Sequence, residues 1–168
     1  MDFEMILFFA FAEIMMDEES SDALKELRLE ALKKLREAGC RLWLLSNAQA
    51  IFTAYELQHL GLGEQLDGIY LSSNFECRKP DLRFYRALLE ARHLNPETCL
   101  MIGNDRETDI AGAKAAGMAT LYMHTNLTPA DQAEADPALY PGKQPGCHME
   151  YEGYDWRELA EILCAGNI

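Results

Sequence analysis

The sequence predicts an α/β domain, a mostly parallel sheet covered by helices on both faces. Three observations predict it. Short continuous apolar runs of strand length recur at Cys40–Leu45, Cys99–Ile102 and Met118–Met123. Amphipathic stretches of helical period separate them. Polar clusters begin abruptly where the runs end.

The elements are taken in chain order. Leu24, Leu27, Ala31, Leu32, Leu35 and Ala38 fall on one helical face, with Ser20, Ser21 and Asp22 as caps and Gly39 as the stop. The run Cys40–Leu45 is a buried strand, ending at Ser46-Asn47. A second helix carries Ile51, Phe52, Tyr55 and Leu60 inward and closes at Gly61. Gly68–Leu71 is a short strand, followed by a polar loop through Arg78-Lys79-Pro80-Asp81. Asp81 can cap a third helix carrying Phe84, Tyr85, Leu88 and Leu89, and Asn95-Pro96-Glu97 makes a turn. Cys99–Ile102 leads into the loop 103–109, a short helix over 110–116 stops at Gly117, and Met118–Met123 is the last strand. Residues 126–153 hold four prolines and little periodicity, which predicts an irregular segment. A terminal helix then docks through Trp156, Leu159, Ala160 and Leu163. The predicted organisation is 1–22 as a degenerate first strand or the remnant of a helical cap, 23–125 as the core, and 126–168 as the irregular segment and docking helix.

The chain of 168 residues is 49% hydrophobic and 26% charged, a composition that buries a core and excludes disorder. Its net charge of −13 argues against nucleic acid and anionic membrane as partners. The charge is uneven. Residues 1–40 carry ten acids against five bases and 126–168 eight against two, whereas 41–125 carry ten against eight. An anionic small molecule would therefore find its site in the middle. The five cysteines, Cys40, Cys77, Cys99, Cys147 and Cys164, are scattered and read as reduced thiols of a cytoplasmic protein. No apolar run reaches the roughly 20 residues that span a membrane. The longest, Met5–Ala12, has acids before it and makes a poor signal peptide.

Ligands of open parallel sheets bind beyond the carboxyl ends of the strands. Ser46 and Asn47 follow one strand, Lys79 lies in the loop after the next, and Asn104, Asp105 and Asp109 follow a third. A hydroxyl, an ammonium and carboxylates on one rim suit a metal-assisted phosphate site, with Mg²⁺ on the carboxylates. Each also has a plainer role. Ser46 can cap its helix, Lys79 can be a solvated loop lysine, and Asp109 can cap the helix at 110–116.

The segments Leu44-Leu-Ser-Asn47, Arg78-Lys-Pro-Asp81 and Met101-Ile-Gly-Asn-Asp-Arg-Glu-Thr-Asp-Ile110, continuing through Ala111–Met118, resemble motifs two to four of the haloacid dehalogenase superfamily. The likeness is to the subfamily with an early helical cap. Leu60-Gly-Leu62 and Asp67–Ser72 fit the same pattern, and the resemblance spans about residues 24–125. It implies a Rossmann-like three-layer sandwich and a Mg²⁺-dependent phosphatase of a small phosphorylated molecule. Ser46 would bind a phosphoryl oxygen, with Asn47 beside it, and Lys79 would stabilise nucleophile and phosphoryl group. The loop of Asn104, Asp105 and Asp109 would hold Mg²⁺, with Asn104 standing at the family's usual first acidic position.

The family's nucleophile is the first Asp of an Asp-x-Asp motif at the end of the first, central strand, and its attack forms an aspartyl-phosphate. No Asp-x-Asp precedes Ser46. Either Ile6–Ala12 is a degenerate first strand, with Ala10 and Ala12 where the aspartates belong, or the central strand is lacking and residues 3–16 end a cap helix. Alanine, methionine and glutamate favour the helix. Under both, this chain alone would not hydrolyse phosphate esters. The alternative functions are a phosphate- or Mg²⁺-binding module without turnover, and an interaction protein whose open sheet edges take up a partner strand or second copy. His124 follows the last strand and could approach the rim, and Cys147-His148 with Glu150 lacks a second pair for a metal site.

Overall fold

The computed structural model describes residues 6–9, 22–59, 61–124, 148–152 and 155–165. Their strands are β1 (Ile6–Phe9), β2 (Arg41–Ser46), β3 (Gly68–Leu71), β4 (Cys99–Gly103), β5 (Ala119–His124) and β6 (His148–Glu152). The helices are α1 (Asp22–Glu37), α2 (Ala50–His59), α3 (Leu82–Ala91), α4 (Gly112–Ala115) and α5 (Trp156–Cys164). The strands form one sheet in the order β3-β2-β1-β4-β5-β6, every pairing parallel. The α/β expectation holds.

The expected cap helix over residues 3–16 does not. Ile6–Phe9 is a strand, and it lies between β2 and β4, with Phe9 opposite both Leu44 and Ile102. The central strand is present, so the alternative that lacks it is overturned. Tertiary pairing on both edges outweighs the weak helix propensity of this apolar segment. Ala10, Ala12 and the remainder of 10–21 lie outside the described residues.

Two further expectations are corrected. His148–Glu152 is not irregular but a sixth strand along β5, in register from Thr120 opposite His148 to His124 opposite Glu152. In α2, Ile51 and Tyr55 face solvent, at 77% and 71% exposure, while Thr53 and Leu57 are buried. The helix therefore turns a different face inward, and Tyr55 stacks on His59 instead of the core. The expected inward Phe52 side chain and Leu60 lie outside the described residues.

Alternation along the strands divides the core. Leu42, Leu44, Leu100, Ile102, Leu121 and Met123 belong to one layer, with α1 and α5. Trp43, Leu45, Cys99 and Met101 belong to the other, with Phe84, Tyr85, Leu88 and Leu89 of α3. The α3 and α5 faces are those expected from the sequence. Gly39, at φ +89°, ends α1 in a conformation that costs glycine little. Among the described residues, no helix is long and apolar enough to cross a membrane.

Candidate functional site

Strand order reverses direction at β1, because β2 and β3 lie on one side of it and β4 to β6 on the other. This reversal opens a crevice at the carboxyl ends of the strands, where α/β sheets bind ligands. Ser46 ends β2, and Asn104 directly follows β4. The two strands flank β1, so the topology alone brings the polar clusters together.

Lys79 is the centre of the arrangement. Its side chain is only 4% exposed, and Nζ lies 2.5 Å from Asp109 Oδ1, on a side chain 2% exposed. Asn47 clasps the Lys79 backbone from both sides. Its Oδ1 accepts from Lys79 N–H at 2.8 Å, and its Nδ2 donates to Lys79 C=O at 3.0 Å. The Lys79–Pro80 peptide is cis, and Asp81 then caps α3 by accepting from Arg83 N–H. The plain alternative of a solvated loop lysine is excluded by this burial.

The loop after β4 is built around its own carboxylates. Asp105 Oδ1 accepts from the N–H groups of Glu107 and Thr108 at 2.9 and 2.8 Å. Asp105 N–H in turn donates to Asp109 Oδ2 at 3.2 Å. The turn Arg106–Ala111 is π-helical and runs directly into α4. Asp105, not Asp109, is therefore the cap, and Asp109 is free of that plainer role. Tyr85, which the sequence marks only as core, donates from its hydroxyl to Thr108 C=O at 2.5 Å. Burial, followed by the charges of Asp109 and Asp105, pushes the Tyr85 phenol well above its ordinary range, so it remains a donor. Gly103 completes the fit, because a Cβ there would stand 2.5 Å from Asp109 Cβ.

Asn47, Lys79, Asp109 and Asp105 are thus joined in one hydrogen-bonded chain. Ser46 is buried beside them, and its Oγ accepts from Ala48 N–H at 3.0 Å. That bond closes a local turn, whereas the α2 N-terminus is met by Ser73, whose Oγ accepts from Ala50 N–H at 2.9 Å. Asn104 is buried at the end of β4.

The described side chains form no preformed magnesium cage. Mg²⁺ asks for octahedral oxygen ligands, usually one or two carboxylates with waters and substrate phosphate completing the shell. Both oxygens of Asp109 are engaged, by Lys79 and by Asp105 N–H, and one oxygen of Asp105 is spent on its turn. Among the described residues, no group of three or more His, Cys, Asp or Glu could hold a metal ion.

Sequence reasoning misses the surroundings of Glu150. Its carboxylate meets Arg106, His124 and His148. A signal is present, since His148-Met-Glu-Tyr-Glu152 alternates polar and apolar as a strand does. The four prolines around it mask that period.

A family model described as haloacid dehalogenase-like hydrolase matches residues 3–117. The chain is 32% identical over 128 residues to the glyceraldehyde 3-phosphate phosphatase of Methanothermobacter thermautotrophicus, covering 76% of this chain and 50% of the relative. It is 32% identical over 111 residues to the phosphoserine phosphatase of Thermus thermophilus, covering 66% and 44%. The chain thus spans about half the length of these curated relatives. Among solved structures, an uncharacterized protein from Listeria monocytogenes serotype 4b superposes with a TM-score of 0.67 at 20% identity, over 96% of this chain and 98% of that one. A HAD phosphatase from Thermococcus onnurineus gives 0.62 at 20% identity, over 80% and 55%. With the family model covering most of the chain and the motif residues gathered at the crevice, the chain belongs to the haloacid dehalogenase-like hydrolase family.

Proposed function

We propose that the chain is the core of a phosphatase-type domain for small phosphorylated metabolites, and that as it stands it binds the phosphoryl group without cleaving it. The observation that carries this reading is the buried Lys79 ammonium, held by Asp109 at the switch point of the sheet. The named activities of the relatives, on glyceraldehyde 3-phosphate and phosphoserine, support the substrate class.

In this reading a phosphoryl oxygen shares the Lys79 ammonium with Asp109, and a charge-assisted hydrogen bond forms at a side chain only 4% exposed. The Ser46 hydroxyl accepts from Ala48 N–H, which leaves its own proton to donate to a second oxygen. Asn47 fixes the backbone from which Lys79 reaches. Cleavage is lost just beyond the central strand. β1 ends at Phe9, and the sequence continues Ala10-Phe11-Ala12, where the family's pattern has its two aspartates. A methyl group cannot attack phosphorus. The free thiols of Cys40, Cys77, Cys99 and Cys164 support a reducing, cytoplasmic setting.

Thermal melting of the full chain in inorganic phosphate tests the binding. Phosphate at about ten times its Kd adds about 1.4 kcal/mol, which for a chain of this size raises Tm by about 3–6 °C. Ser46→Ala is expected to reduce the rise. An unchanged Tm at tens of millimolar phosphate would overturn the reading.

A further inference from the structure

The carboxylate of Glu150, on a side chain 5% exposed, is enclosed by three donors. Oε1 meets Arg106 Nη1 and His148 Nε2, both at 3.2 Å, and Oε2 meets His124 Nε2 at 2.8 Å. His148 Nδ1 lies 2.8 Å from Thr120 Oγ1. The Arg106 guanidinium also stands 4.3 Å from the centre of the Tyr122 ring. An ionised carboxylate only accepts, so each imidazole must present an N–H to it, and His148 Nδ1 then accepts from the Thr120 hydroxyl. Lys114 of α4 adds a further positive charge facing His148.

A charged carboxylate this deep is costly unless every oxygen is satisfied. Here the satisfaction comes from three separate elements: β5, β6 and the acidic loop. Arg106 is the residue directly after Asp105, whose carboxylate caps the turn and whose N–H holds Asp109. We infer that Glu150 is a positioning residue, anchoring the acidic loop through Arg106 so that Asp105 and Asp109 stay in register with Lys79. The edge strand β6 is thereby part of the site's support. The consequence for phosphate binding rests on the function proposed above.

Amide hydrogen exchange of the full chain tests it in Glu150→Ala. Exchange at Glu107, Thr108, Asp109 and Ile110 is expected to speed up by about tenfold or more, with α3 and α5 unchanged. Arg106→Gln, on a more exposed side chain, should reproduce the effect, and Arg106→Lys should restore part of the protection. Glu150→Ala should also weaken inorganic phosphate several-fold. Parent rates in the loop, or an equal rise throughout the sheet and helices, would overturn the inference. If the parent chain binds no phosphate, the proposed function fails and the exchange comparison still decides this role.

Discussion

Lys79 Nζ lies 2.5 Å from Asp109 Oδ1, and the two side chains are 4% and 2% exposed. The pair joins the loop after β3 to the turn after β4. Removing one partner strands a buried charge, which costs about 3–5 kcal/mol. Asp109→Ala and Lys79→Met are each expected to lose stability on that scale in urea unfolding. The double variant should lose much less than the sum, because no charge is left unpaired. Additive losses would show that the two groups do not depend on one another.

Gly103→Ala is expected to destabilise by about 1–3 kcal/mol, the usual cost of overpacking. The added methyl would stand 2.5 Å from Asp109 Cβ and press against its carboxylate. Gly63→Ala is the control, since its Cβ would meet only Leu57 Cβ at 3.9 Å. Denaturation midpoints of the two variants compare them directly, and equal losses would contradict the close approach at Gly103.

The Glu150 cluster has a pH signature. Burial lowers the pKa of His148 below its ordinary value of 6.5, more than its bond to Glu150 raises it. Burial pushes Glu150 upward, but hydrogen bonds from His124 and His148 and the charge of Arg106 outweigh it and hold the group below 4.5. Both folded values are depressed, so the unfolded chain binds more protons in acid. Stability should fall as pH drops below 6.5 through His148, and again below 4.5 through Glu150. Unfolding free energies at pH 7 and pH 5 are expected to differ less in His148→Gln than in the parent. An equal difference would remove His148 from the acid response.

The thiols should separate by burial. Desolvation pushes Cys40 up to about 11, with a smaller effect of Cys164, and pushes Cys99 up to about 12. Cys164 is exposed. Brief iodoacetamide treatment at pH 8, followed by peptide mass analysis, should label Cys164 and spare Cys40 and Cys99 until the chain unfolds. Because the folded values are raised, stability should fall as pH rises above 9, where unfolded thiols ionise and buried ones do not. Rapid labelling of Cys40 in the folded chain would contradict its burial.

Much of the fold is legible in the residues. The apolar runs name β2, β4 and β5, and the abrupt polar endings place Ser46, Asn47, Asn104 and Asp105 at the crevice, because a parallel sheet needs only strand length and direction to do so. The partners are less legible. Nothing local marks Lys79 as the counter-ion of Asp109, since a pairing across two loops is set by the fold. The π-helical turn moves the cap from the expected Asp109 to Asp105, a shift of one turn that sequence spacing does not register. Ile6–Phe9 departs from the expected helix because its short apolar run fits either period, and only its pairing with β2 and β4 decides. In α2, hydrophobicity alone marks Ile51 and Tyr55 as core, although solvent-facing apolar residues are common.

The most direct measurement is hydrolysis of p-nitrophenyl phosphate by the full chain in millimolar Mg²⁺, beside Lys79→Ala. With alanines at positions 10 and 12 of a chain whose central strand ends at Phe9, both proteins are expected to release nitrophenolate at the buffer rate. Turnover by the parent at roughly 1 s⁻¹ or faster, within the ordinary enzyme range, and abolished by Lys79→Ala, would contradict binding without cleavage.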